Sequence, residues 1–160
     1  MAGLESGRAD DRRDPVTCVV VDARSEVLST IPRVLASHHI RVVATASTGD
    51  GALAAIRRHE PAVAICDPKV GGLSVLGLAR VAPATRVILY ASFRDRDDLT
   101  DAIAQGVWGI VLKEAPFSDL VRAIHTITEG GIYIDPLLAG VYAAAYAQQL
   151  TTETDLPEAG

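Results

Sequence analysis

Aromatic side chains are almost absent: two Phe, four Tyr and one Trp make up 4% of the 160 residues. A core must then be built from Ala, Val, Leu and Ile, which suits a sheet covered by helices on both faces. Cysteine is equally scarce, with only Cys18 and Cys66, each inside an apolar run. That excludes a disulfide scaffold, and the expectation is two buried thiols in a reducing compartment. No apolar run approaches the roughly 18 residues of a membrane helix. Gly3 to Pro15 is polar and has no apolar signal core, so neither a membrane span nor export is expected and the expected location is cytoplasmic. Basic residues are in deficit, 15 Lys and Arg against 20 Asp and Glu, for a formal net charge of −5. Without a basic stripe, direct binding of nucleic acid is not expected.

What the chain does have is an apolar fraction of 49%, ample for one core at this length. Strand-like runs at Thr17–Val21, Val42–Ala46, Ala62–Cys66, Val87–Tyr90 and Gly109–Leu112 alternate with amphipathic stretches. Helices are expected near Glu26–Ser37, Asp50–His59, Leu73–Val81, Arg96–Gln105 and Ser118–Glu129. Five such units predict a parallel, doubly wound sheet with right-handed crossovers. Ser118 reads as a helix N-cap, Gly106 and Gly130 as left-handed residues after helix ends, and Pro61 as a helix stop. Pro32 is awkward inside the first helix, which is expected to start late, near Thr30, or to be distorted. Beyond the fifth unit, Gly131 to Ile134 reads as short and extended. Asp135-Pro136 then opens a further helix to about Leu150, with a stripe of Leu137, Leu138, Val141, Tyr142, Ala145 and Tyr146. The expected organisation is a disordered leader over residues 1–15, one domain over 16–134, a C-terminal helix over 135–150 and a tail over 151–160.

Three strand-like runs end in charged residues: Asp22 after Cys18 to Val21, Asp67 after Ala62 to Cys66, and Lys113 after Ile110 to Leu112. In open α/β sheets ligands bind at that edge. Two carboxylates and an ammonium there can serve phosphoryl chemistry. One carboxylate accepts the group, another helps hold a cation, and the lysine neutralises charge.

These residues, with Ser47 to Leu53, Val111 to Ala115 and the Gly130-Gly131-Ile132-Tyr133-Ile134-Asp135-Pro136 stretch, make the chain resemble the receiver domains of two-component response regulators over residues 16 to 140. More narrowly it is similar to the NarL/FixJ (LuxR-type) family. The resemblance implies a flavodoxin-like (CheY-like) five-stranded parallel sheet of order 2-1-3-4-5, plus the extra C-terminal helix. It places the phosphoacceptor at Asp67, metal ligands at Asp22 and Asp67, and the phosphoryl-facing lysine at Lys113. It also exposes departures. The second metal-site acid falls on Ala23, the hydroxyl that closes on the phosphoryl group on Ala91, and the aromatic that swings inward on Ile110. Ser92 lies next to Ala91, but neighbouring strand residues point to opposite faces. Mg²⁺ binding is therefore expected to be weak, with no other cofactor. The expected function is an atypical receiver that is largely independent of phosphorylation and acts through protein contacts. The alternative within the family is a conventional Mg²⁺-dependent receiver phosphorylated on Asp67. Implied partners are a histidine kinase and a second copy of the chain, and DNA only through a C-terminal helix-turn-helix domain not present here. Asp97, Trp108 and Leu120 are the candidate interface residues.

A phosphatase-like enzyme that forms an aspartyl phosphate would need an acid two residues beyond Asp67, where Lys69 stands, so no enzymatic activity is expected. A flavodoxin-type cofactor protein would need a hydroxyl-rich loop after the first strand, where Ala23-Arg24-Ser25-Glu26 stands. His38, His39, His59 and His125 lack metal-ligand spacing and are expected at the surface.

Overall fold

Every strand-like run becomes a strand of one parallel sheet. The computed structural model describes residues 14 to 147 apart from 103, 142, 145 and 146. The tail expected over 151–160 and nearly all of the expected leader lie outside these residues. Strands β1 (Val16–Val21), β2 (Ile40–Ala46), β3 (Val63–Cys66), β4 (Arg86–Ala91), β5 (Gly109–Leu112) and β6 (Tyr133–Ile134) lie in the order β2-β1-β3-β4-β5-β6. Helices α1 (Ser25–Ala36), α2 (Gly49–His59), α3 (Val75–Val81) and α4 (Phe117–Thr128) cover it, and residues 136–141 begin the C-terminal helix.

Alternate residues of each strand face opposite cores. Val19, Val21, Ala64, Cys66, Leu89, Ile110 and Leu112 pack on the side that includes Ala52, Ile56 and Leu78. Cys18, Val20, Val63, Ile65, Ile88 and Val111 pack with Ile31, Leu35, Leu120, Ile124 and Ile127. Burial on both faces is why the strands read as unbroken apolar runs rather than alternating ones.

The sheet has six strands, one more than expected, because the chain turns back beside β5. Gly130 adopts φ +99°, its N–H donates to the Ile127 carbonyl at 3.0 Å, and the Gly131 N–H donates to Thr126 at 2.9 Å. This Schellman closure returns Tyr133, whose N–H reaches the Trp108 carbonyl at 3.1 Å. Asp135 then caps the C-terminal helix as expected: its Oδ1 accepts from the Leu137 N–H at 3.1 Å. Of the predicted stripe, Leu138 is fully buried and Leu137 is 63% exposed; Tyr142, Ala145 and Tyr146 lie outside the described residues.

Three local expectations are corrected. Helix α1 starts at Ser25, not near Thr30, and runs through Pro32. A proline there costs about 3 kcal/mol, but continuing the helix buries Ile31 and Leu35, each worth about 1.5–3 kcal/mol. Helix α4 starts at Phe117 with Pro116, not Ser118, at the cap position and no side-chain cap bond. The extended Pro116 backbone sets the entry, and the Asp119 N–H bonds its carbonyl at 2.9 Å. The fourth helix, expected over Arg96–Gln105, is instead a 3₁₀ segment at Phe93–Leu99 followed by turns. Its aspartates compete for backbone groups and favour turns over helix.

Candidate functional site

Asp22, Asp67 and Lys113 each sit one residue beyond a strand and continue the sheet ladder. Their N–H groups donate to Ala46, Val21 and Ala91 carbonyls at 3.0, 2.9 and 2.8 Å. The ladder fixes all three backbones, so the side chains converge at one edge. The Asp67 loop is further held by the Gly49 N–H, which donates to the Gly71 carbonyl at 2.9 Å. A Cβ on Gly49 would lie 2.0 Å from the Gly72 oxygen, so only glycine permits that approach.

The Lys113 ammonium bridges both acids, 2.7 Å from Asp22 Oδ2 and 2.6 Å from Asp67 Oδ2. The remaining oxygens accept backbone donors two residues on: Arg24 N–H to Asp22 Oδ1 and Lys69 N–H to Asp67 Oδ1, both at 2.8 Å. These are Asx turns, which lock each carboxylate against its own loop. Asp22 is 2% exposed, while Lys113 and Asp67 are 17% and 18% exposed. Burial alone would lower the Lys113 pKa, but the hydrogen bonds and charges of Asp22 and Asp67 outweigh it and hold the ammonium above its ordinary range.

A second set of contacts surrounds the cleft, and the sequence reading missed it. Ser92 donates its hydroxyl to Glu114 Oε1 at 2.6 Å, and the Phe93 N–H also reaches that carboxylate. Lys69 pairs with Asp95 at 2.7 Å, tying the loop after β3 to the 3₁₀ segment. Adjacency to Lys113 was the only sequence signal for Glu114; its separation of 22 positions from Ser92 carries none.

Ala23 lines the cleft with no ligand atom. Ala91 and Ile110 are buried in the core at 1% and 0% exposure. Asp22 and Asp67 are the residues that would hold a divalent cation: all four of their oxygens already accept a donor, Ala23 adds no third carboxylate beside them, and no described group of three or more His, Cys, Asp or Glu could hold a metal. The four histidines are exposed.

Two candidate interface residues need correction. Leu120 is 1% exposed and packs inward from α4, so it offers no side chain to a partner. Trp108 is only half-exposed, packs against the core and lies under the Arg86 guanidinium at 4.2 Å. Arg86 also donates to the Ile127 carbonyl, joining β4 to the end of α4. Asp97 is exposed as expected.

The response regulator receiver domain model matches residues 18–125. The transcriptional regulatory protein MctR of Rhizobium johnstonii is 27% identical over 148 residues, covering 89% of this chain and 68% of its own. The oxygen regulatory protein NreC of Staphylococcus carnosus is 29% identical over 102 residues, 61% of this chain but 47% of its own. A LuxR-family two-component response regulator from Aurantimonas sp. SI85-9A1 superposes with a TM-score of 0.77 at 21% identity, covering 83% of this chain and 99% of that one. The chain belongs to the response regulator receiver domain family. It is a receiver domain of the NarL/LuxR-type two-component regulators, with the flavodoxin-like sheet of that class. It spans about two-thirds of MctR and about half of NreC. No helix of the described residues is long and apolar enough to cross a membrane.

Proposed function

We propose that this receiver regulates its output chiefly through protein–protein contacts, and that phosphorylation of Asp67 is not its main switch. One observation supports the reading most. Ala23 leaves Asp22 and Asp67 as the two carboxylates at the strand tips, and Lys113 lies 2.7 Å from one and 2.6 Å from the other. A phosphoryl group arriving at Asp67 would meet a lysine but no cation-binding acid pair. Ala91 offers it no hydroxyl, and Ser92 is engaged by Glu114. Without a contact made only in the modified state, modification would shift no equilibrium. The site supports no enzymatic turnover on this reading.

The conventional reading, a receiver phosphorylated on Asp67, is favoured by one fact: that carboxylate is 18% exposed at the cleft. Incubation with acetyl phosphate and Mg²⁺, followed by intact mass and Trp108 fluorescence, separates the two. The atypical reading expects neither a mass gain nor a fluorescence change. Stoichiometric phosphorylation with a change in Trp108 emission would establish the conventional switch.

Residues 16–134 form the receiver, residues 135–150 link it onward, and the protein works in the cytoplasm as a homodimer. The name of MctR supports transcriptional regulation as the output, exerted on DNA through a domain other than this one. A histidine kinase is the upstream partner in that scheme. Asp97 on the 3₁₀ segment remains the candidate interface residue.

A further inference from the structure

Strand β2 is an outer strand of the sheet. Among the described residues it pairs only with β1, so its other side carries backbone groups with no strand beside them. Such an edge is a template for a further extended segment. The end at which β2 starts is also basic. Arg41 stands on the strand, Arg33 in the last turn of α1, and Arg57 and Arg58 in the last turn of α2, all four exposed. The last turn of α2 lies at that end because it must return the chain to the start of β3. His38, His39 and His59 stand among them, and the acids there are Asp14 and Glu60. Among the described residues no carboxylate lies within ion-pair distance of any of the four guanidinium groups. Helix ends favour cations by themselves, but Arg41 is on a strand. Beside it an open, largely apolar hollow of about 330 Å³ is lined by Pro32, Ala36, Ile40 and Val42 together with His39 and Arg41.

We propose that residues 151–156 of this same chain dock as an extended strand on the open edge of β2. Their period of two puts Thr151, Glu153 and Asp155 on one face and Thr152, Thr154 and Leu156 on the other. Ile40 and Val42 pack toward α1, so Arg41 between them faces the α2 side. The match then sets Glu153 and Asp155 toward Arg41, Arg57 and Arg58, and Leu156 toward the apolar hollow. Backbone pairing supplies the contact and the alternating side chains choose the segment. Pro157, which has no N–H to give, ends the pairing. Charge complementarity favours this segment over the residues before Asp14. Those mix Arg8, Arg12 and Arg13 with Asp10 and Asp11, whereas residues 151–160 hold three acids and no cation. Length allows it too. The sheet measures about 24 Å from β2 to β6, and the stretch from Ala147 to Leu156 extends to about 30 Å. The contact does not depend on whether Asp67 is phosphorylated.

The test is NMR and amide hydrogen exchange on the full chain, comparing the wild type with E153K/D155K and with Leu156→Ser. These changes lie outside the sheet and its cores, so they leave the domain to fold. Both variants are expected to shift the amides from Arg41 to Ala44 and to quicken exchange on the open side of β2 about tenfold or more. High salt should move the wild-type spectrum toward that of E153K/D155K. Arg41→Glu should release the segment as well, and combining it with E153K/D155K should restore part of the protection. Dilution should change none of this, because the contact lies within one chain. Identical β2 signals in the wild type, E153K/D155K and Leu156→Ser would overturn the proposal. So would protection that disappears on dilution, which would assign the edge to a second copy.

Discussion

Ser92 donates its hydroxyl to Glu114 across 2.6 Å, and the Phe93 N–H reaches both oxygens of the same carboxylate at 3.2 and 3.1 Å. One exposed side chain thus fastens the end of β4 to the loop after β5. Burial alone would raise the Glu114 pKa, but the hydrogen bonds from Ser92 and the backbone hold it below the ordinary 4.5. A depressed carboxylate stabilises above its unfolded value and loses that contribution as pH falls through its folded one. Glu114→Gln should therefore flatten the stability curve below about pH 4.5. At neutral pH it should cost under about 1 kcal/mol, because the site is solvent-screened. Faster exchange of the Phe93 amide is the local readout.

Removing Lys113 is a harsher change. Lys113→Met would leave Asp22, only 2% exposed, facing Asp67 with no cation between them. A loss of roughly 2–4 kcal/mol in urea unfolding is expected, toward the lower end because Lys113 is partly solvated. Adding Asp22→Asn should recover part of it, and a cycle of the two variants measures the coupling. With the Lys113 pKa raised above 10.5, its contribution is complete below that pH and disappears as pH rises through the folded value.

Restoring an acid tests whether position 23 limits cation binding. Ala23→Asp adds a third carboxylate beside Asp22 and Asp67 in the cleft. Mg²⁺ affinity, followed by Trp108 fluorescence or NMR, should rise at least about tenfold over the wild type, since affinity tracks ligand charge. Equal affinity in the two proteins would show that position 23 does not limit the site.

The C-terminal helix depends on the same strand as the lysine. Asp135 is 2% exposed and its Oδ2 accepts from the Leu112 N–H at 3.2 Å, one residue before Lys113. Asp135→Ala orphans that N–H and removes the helix cap. A loss of about 2 kcal/mol is expected, with early exchange at the Leu112 and Leu137 amides. Asp135→Asn, which keeps an acceptor, should lose less.

Much of this was legible without coordinates. Apolar runs ending in Asp22, Asp67 and Lys113 located three strand tips, and a parallel sheet must bring such tips to one edge. Glycines 106 and 130, read as left-handed, have φ of +100° and +99°. The errors arose where local preference and tertiary burial disagree. Pro32 argues against a helix by itself, yet Ile31 and Leu35 need that helix to reach the core. Leu120 seemed available to a partner until α4 turned it inward. The aspartate run from Asp95 to Asp98 reads as a helix start, but the chain there makes a 3₁₀ turn tethered through Lys69.

The sequence by itself determined the class, because strand periodicity, turn chemistry and the order of acids and lysine are properties of neighbouring residues. It also determined what the pocket lacks at Ala23 and Ala91. Only the tertiary structure decided how the remaining charges are matched. Lys113 pairs with Asp22 from 91 residues away, and Glu114 captures Ser92 from 22 away. No local pattern encodes such pairings, because they exist only once sheet order and register have fixed which side chains meet.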